Sequence, residues 1–101
     1  VRFLAPAIQE VADAAAWFDS KTPGLGAEFW EAVDAVLVAI EQNPGRFAPT
    51  EFATADFDLR AAFVRRFKYV VHFAIETDEA GINAVGHAAR KPSYWLRRIH
   101  P

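Results

Sequence analysis

Arg65-Arg66-Phe67-Lys68-Tyr69-Val70-Val71-His72-Phe73-Ala74-Ile75-Glu76 is the stretch that decides the fold. Phe67, Tyr69, Val71, Phe73 and Ile75 alternate with Lys68, Val70, His72, Ala74 and Glu76. A period of two puts one set on each face of a strand, and β-branched and aromatic side chains suit a pleated, half-buried surface. The spacing predicts a central strand over Phe67–Ile75, with the large set facing a packed layer. Just upstream, Phe57, Leu59, Ala61 and Phe63 alternate in the same way. Downstream, Thr77-Asp78-Glu79-Ala80-Gly81 is a turn leading into a third strand, Ile82 to Ala89. Together they read as an antiparallel meander. Phe3-Leu4 is a candidate edge strand.

Moving toward the N-terminus, the period changes. Ile8, Val11, Ala12, Ala15 and Phe18 recur at helical spacing between Pro6 and Lys21, with Pro6 suited to a first turn. Thr22-Pro23-Gly24 breaks the pattern. A second helix is predicted from Gly26 to Gln42, with Phe29, Val33, Val36, Leu37 and Ile40 on one face. Asn43-Pro44-Gly45 stops it, because Asn and Gly tolerate a left-handed cap and Pro cannot continue a helix. So short a break makes the two helices an antiparallel hairpin. The predicted class is α+β, a helix hairpin packed on one face of a small antiparallel sheet of three or four strands.

Composition sets the bounds. A chain of 101 residues is one domain, residues 1–101, and a domain of that size buries roughly two-thirds of its unfolded surface. Its 52% hydrophobic content, with nine Phe and 20 Ala, supplies a core and excludes disorder. No apolar run approaches the ~18 residues of a membrane span. The first six residues are too short an apolar stretch for a signal peptide, and a first residue other than Met suggests trimmed numbering. The chain has no Cys, which removes thiolate nucleophiles and Cys-ligated zinc and suits a cytoplasmic address. A formal charge of −2 conceals a segregation: Val1–Asp58 carries three basic and ten acidic residues, Leu59–Pro101 eight basic and three acidic. The sharper reading is a basic surface for an anionic partner, or an acidic face for a basic one. The plainer one pairs the arginines with carboxylates of the helical half.

The end of the chain is the most specific part: His87-Ala88-Ala89-Arg90-Lys91-Pro92-Ser93-Tyr94-Trp95, then Arg97 and Arg98. Taken with Trp17-Phe18, Pro23-Gly24-Leu25-Gly26, a second helix ending in Asn-Pro, and Arg65-Arg66-Phe67-Lys68-Tyr69, this order resembles the ParE-like branch of the RelE/ParE superfamily. These are the toxins of bacterial type II toxin–antitoxin modules, and the resemblance spans essentially the whole chain. It implies a cytoplasmic toxin neutralised by a ParD-like antitoxin in a hetero-oligomer, with DNA gyrase as target. The alternative is a ribosome-dependent mRNA endonuclease of the RelE type. In that branch a basic residue usually follows the position of His87, where this chain has Ala88, whereas Tyr94 does match a RelE tyrosine. A toxin-like domain without activity is a third reading.

Within that frame each residue has two readings. Arg60, Arg65, Arg66, Arg90, Arg97 and Arg98 present planar forks that grip phosphate or carboxylate at two points, and with Tyr94 and Trp95 they form the predicted target-binding set. The plainer reading pairs several of them with the helical carboxylates. For the nuclease alternative the catalytic set is His87, Arg90 and Tyr94, with His87 as general acid or base. The plainer reading ends a strand at His87 and uses Tyr94 and Trp95 to pin the tail. Trp17, Phe18, Phe29 and Trp30 are predicted packing residues. Trp30 is also a candidate partner contact, since Phe29 and Val33 already fill the buried stripe. His72, His87 and His100 lack metal-site spacing, and nothing implies a cofactor.

Overall fold

The computed structural model describes residues 1–77, 79–91 and 93–99. The parts of the turn and tail readings that fall on Asp78, Pro92, His100 and Pro101 therefore lie outside the described residues. Strand β1 (Arg2–Phe3) leads into α1 (Ala5–Lys21), which turns back through α2 (Leu25–Gln42). Then come β2 (Asp58–Val64), β3 (Tyr69–Ile75) and β4 (Ala80–His87), with short 3-10 turns at Pro44–Arg46, Arg65–Phe67 and Leu96–Arg98. Sheet order is β1-β4-β3-β2. The meander β2-β3-β4 is antiparallel as expected, but β1 pairs parallel to β4, Arg2 opposite Gly81 and Phe3 opposite Ile82, so the four-stranded sheet is mixed.

The helix hairpin covers one face, α1 over β4 and α2 over β2. Ala7, Val11, Ala14 and Ala15 of α1 meet Phe29, Val33 and Ile40 of α2 above Val71, Phe73, Ile82 and Val85. Tyr69 and Ile75 pack on the same cluster, so the odd-numbered set of β3 faces the helices. Several placements differ from the sequence pattern. Phe67 also packs there but belongs to the 3-10 turn, because Lys68 adopts a left-handed conformation (φ 58°) that starts the strand two residues late. Ile8 points half to solvent and Ala7 and Ala14 take the buried stripe instead. Trp17 is 56% exposed rather than packed. On β2, Ala62 and Val64 face the helices, while Leu59 faces away.

On the opposite face lies a second, smaller core. Leu59, Ala84 and Trp95 are fully buried there, with Phe52, Phe57, Tyr94, Leu96 and Ile99 around them. The C-terminal tail is thus a third layer. A β-bulge makes this geometry possible: His72 pairs with Ala84 but Phe73 with Ile82, leaving Asn83 unpaired. The extra residue lets Ile82 and Val85 both face the helices while Ala84 turns to the tail.

Gly26 marks the closest approach of the helices. A Cβ there would stand 2.5 Å from the Ala15 carbonyl oxygen and 2.8 Å from the Asp19 carboxylate carbon, and Asp19 Oδ1 accepts the Gly26 N–H at 2.7 Å. At an exposed helical position Gly→Ala stabilises by ~1 kcal/mol. Here the sign reverses: Gly26→Ala should destabilise by about 1–3 kcal/mol through overpacking, read as a lower urea midpoint at unchanged slope.

Candidate functional site

The site is where the tail crosses β4. Beyond Ile82, β1 no longer pairs with β4. Backbone groups on that edge are met by side chains instead. Glu10, on α1, accepts the Val85 N–H at 3.0 Å through Oε1. The same oxygen accepts from Arg98 Nη1 at 2.8 Å, and Oε2 accepts from Arg98 Nη2 at 3.1 Å. Arg98 Nη1 also donates to the Asn83 carbonyl at 3.0 Å. This two-point ion pair, its side chains only 14% and 20% exposed, ties helix, strand edge and tail at one point. Glu10 holds the Arg98 guanidinium above its ordinary range, chiefly through this hydrogen bond.

Two cations lie against Tyr94. Arg90 lies over its ring at 3.5 Å and Arg98 at 5.3 Å. Arg90 Nη1 also reaches Glu10 Oε2 at 3.5 Å. The phenol hydroxyl is buried above Gly86, where any Cβ would collide with it, and lies beside Glu10 and Arg98. Burial, with the Glu10 charge adding to it, pushes the Tyr94 pKa up. The hydroxyl stays protonated and out of reach. Deeper still, the His72 ring packs on Trp95 at 5.1 Å, and its Nδ1 is buried without a partner. Burial lowers its pKa to about 4; Glu10 opposes that shift and Arg98 reinforces it.

The predicted target-binding residues separate into two groups. Trp95 is fully buried, so it has no surface to offer a partner: it pins the tail. Arg98 is committed to Glu10 and Asn83, and Arg60 to Asp58 and to the carbonyls of Gly45 and Phe47. Arg66 pairs with Glu28 at 2.7 Å but remains largely exposed. Arg65 and Arg97 are exposed, with Arg65 over the Phe63 ring. On the helix hairpin Trp30 is 44% exposed, outside the buried stripe.

Of His87, Arg90 and Tyr94, the structure brings Arg90 against the Tyr94 ring and lines one recess with His87 and Arg90, while Tyr94 is not part of that lining. His87 is exposed, its Nδ1 accepts the Ala89 N–H at 3.0 Å, and its ring packs edge-on to Tyr69. Arg90 turns to Tyr94 and Glu10. The residue missed from sequence was Glu10. It is an ordinary acidic residue on an amphipathic helix, and no local spacing singles it out.

Replacing Glu10 by Gln leaves a largely buried guanidinium without its charge partner, and should cost about 2–3 kcal/mol, somewhat below the range for a fully buried pair. Urea unfolding of the variant measures it. A pH series tests His72. Its folded pKa, about 4, lies below the unfolded 6.5, so the unfolded chain binds the proton more readily and stability falls as pH drops from ~6.5 through 4. The loss reaches up to ~3 kcal/mol. His72→Phe should flatten the slope in that window relative to the parent; equal slopes would assign it to the carboxylates instead.

Comparison with protein-family models and with curated proteins finds no match to this chain.

Proposed function

We propose that this chain is the toxin of a bacterial type II toxin–antitoxin module of the ParE-like kind, working in the cytoplasm by binding DNA gyrase rather than by chemistry. The motif order from Trp17-Phe18 to Tyr94-Trp95 supports it, as does the arrangement of helix hairpin, small sheet and folded-back tail. The observation that carries the choice of binding over cleavage is the fate of the tail residues. A nuclease needs an acid–base pair and cations converging where charge develops on phosphate. Here the Tyr94 hydroxyl is buried, Arg98 is spent on Glu10, and His87 points to a different side ring, Tyr69.

Arg65 and Arg97 remain open to a partner, and Arg is among the residue types that most often carry interface energy. Neutralisation by a ParD-like antitoxin has its own surface. Trp30 and Val38 lie two turns apart on α2, 44% and 46% exposed, with the exposed Asp34 between them, apolar contacts flanking a carboxylate that an amphipathic segment could cover.

The purified chain should inhibit gyrase supercoiling and leave mRNA on translating ribosomes uncut. Inhibition should survive His87→Ala and fall at least about five-fold in the Arg65→Ala, Arg97→Ala double variant, both positions being exposed enough to spare the fold. Trp30→Ala should weaken antitoxin binding while sparing inhibition. Should His87→Ala instead abolish toxicity by roughly 10²–10⁴ in a ribosome-dependent cleavage assay, the nuclease alternative holds.

A further inference from the structure

Strand β2 is the outer strand of the sheet, with β3 on one side of it only. The Leu59 carbonyl accepts the Thr50 N–H at 2.8 Å, and this fixes the direction of the backbone. Leu59, Ala61 and Phe63 turn their N–H and C=O groups outward, while Ala62 and Val64 turn theirs toward β3. The loop after α2 follows that outer edge only as far as the bridge of Pro49 to Arg60. Among the described residues no backbone group meets Phe63 from the outer side, and Phe63 is 57% exposed.

The open edge separates two recesses. Toward the helices, one of about 240 Å³ has Arg46, Phe47 and Arg65 in its wall. On the tail side, one of about 410 Å³ has Phe52, Val70 and Ala88 in its wall. Ala61 and Phe63 line both. In the first recess the Arg46 guanidinium lies over the Phe47 ring at 5.1 Å, and that of Arg65 over the Phe63 ring at 6.0 Å. Both rings belong to the same wall, so these contacts hold two cations at the recess. No carboxylate lines it, and among the described residues neither arginine pairs with one. On the neighbouring elements Glu28 and Asp58 are each held by a different arginine, Arg66 and Arg60. The second recess is walled mainly by apolar groups, with Glu51 and Arg90, of opposite charge, among them.

An extended chain sends successive side chains to opposite faces and offers N–H and C=O groups to a neighbouring strand edge. It therefore meets all three features together: backbone bonds for Phe63, one side chain toward the helices, and the next toward the tail. Charge selects what the first of these carries. A second copy of this chain pairing edge to edge would set Arg46 and Arg65 against the same two cations, which opposes self-pairing. We propose that the β2 edge binds an extended peptide segment as a further strand, with an acidic side chain at Arg46 and Arg65 and apolar neighbours in the other recess. The proposal goes beyond the gyrase reading. Arg65 belongs to both, but peptide binding is measured with no gyrase present, so either can fail alone.

The test titrates the purified full chain with three short acetylated peptides, following backbone amide signals by NMR. One alternates valine with glutamate, one alternates valine with lysine, and the third is the glutamate peptide with every backbone N–H methylated. The glutamate peptide should shift the Phe63 amide and slow its hydrogen exchange, and the methylated peptide should do neither. The lysine peptide should bind more weakly, and Arg46→Glu with Arg65→Glu, both at exposed positions, should reverse that preference. Arg46→Ala with Arg65→Ala should weaken the glutamate peptide roughly 2- to 30-fold, the combined range of two exposed ion pairs. An eight-nucleotide single strand of DNA tests charge alone and should leave the exchange of the Phe63 amide unchanged. Each of four results would overturn the proposal: no shift with the glutamate peptide, equal binding of the lysine or methylated peptide, slowed Phe63 exchange with the DNA strand, or a Phe63 amide already protected in a dimer of the chain.

Discussion

A single carboxylate, Glu10, holds the three layers of this protein in register. A β-strand whose neighbour is only two residues long leaves most of one edge unpaired, and unpaired backbone groups next to apolar layers are costly. Here β1 supports β4 only at Gly81 and Ile82. Glu10 takes over at Val85, reaching down from α1, and the same carboxylate binds the tail through Arg98. Arg98 in turn serves the Asn83 carbonyl. The edge is closed by a side-chain ion pair where a longer β1 would have closed it with backbone.

This closure makes the tail part of the fold. Trp95 and Leu59 become a second core only when the tail lies down, and Tyr94 then covers Gly86, where no larger residue would fit. Among the described residues, His72 Nδ1, Asn83 Nδ2 and Trp95 Nε1 are buried there without a protein hydrogen-bond partner. A two-point ion pair on the rim fixes the tail over them. Aromatic residues that looked like an interface from sequence are thereby divided between a pin, Trp95, and a ring packed against two arginines, Tyr94.

What could be read from sequence was whatever repeats. The two helices, their stops and the face of β3 all follow from periods of 3.6 and 2, and the structure places them within a residue or two of the expected bounds. The departures come from single residues that interrupt a period without changing composition. Lys68 adopts a positive φ that no pattern marks, moving Phe67 off the strand. Asn83 inserts a bulge that shifts the alternation of β4. In α1, the buried stripe is Ala7, Val11, Ala14 and Ala15 rather than one containing Ile8, and at its Ala15 end Gly26 brings α2 too near for a larger side chain. The site was harder to read for the same reason. Glu10 and Arg98 are 88 positions apart, and only the layer order brings them together.

The charge segregation of the chain has a physical use that the sequence suggests only in outline. The basic half sends cations back to carboxylates of the acidic half, Arg98 and Arg90 to Glu10 and Arg66 to Glu28, so part of the asymmetry is consumed in holding sheet and tail against the helices. Arg60 is consumed within its own neighbourhood, stapling the loop after α2 to β2. Among the described residues, Lys21, Arg46, Arg65, Lys68, Lys91 and Arg97 are left without a carboxylate, four of them in the C-terminal half. Pairing a few charges across layers while leaving others open is what separates a cation that builds the fold from one that can meet a partner. The long aliphatic stem and planar head of Arg suit it to the first task when buried. Of the exposed remainder, Arg65 and Lys68 sit on the turn between β2 and β3 and Lys91 and Arg97 on the tail, where a partner can approach without disturbing the layers beneath.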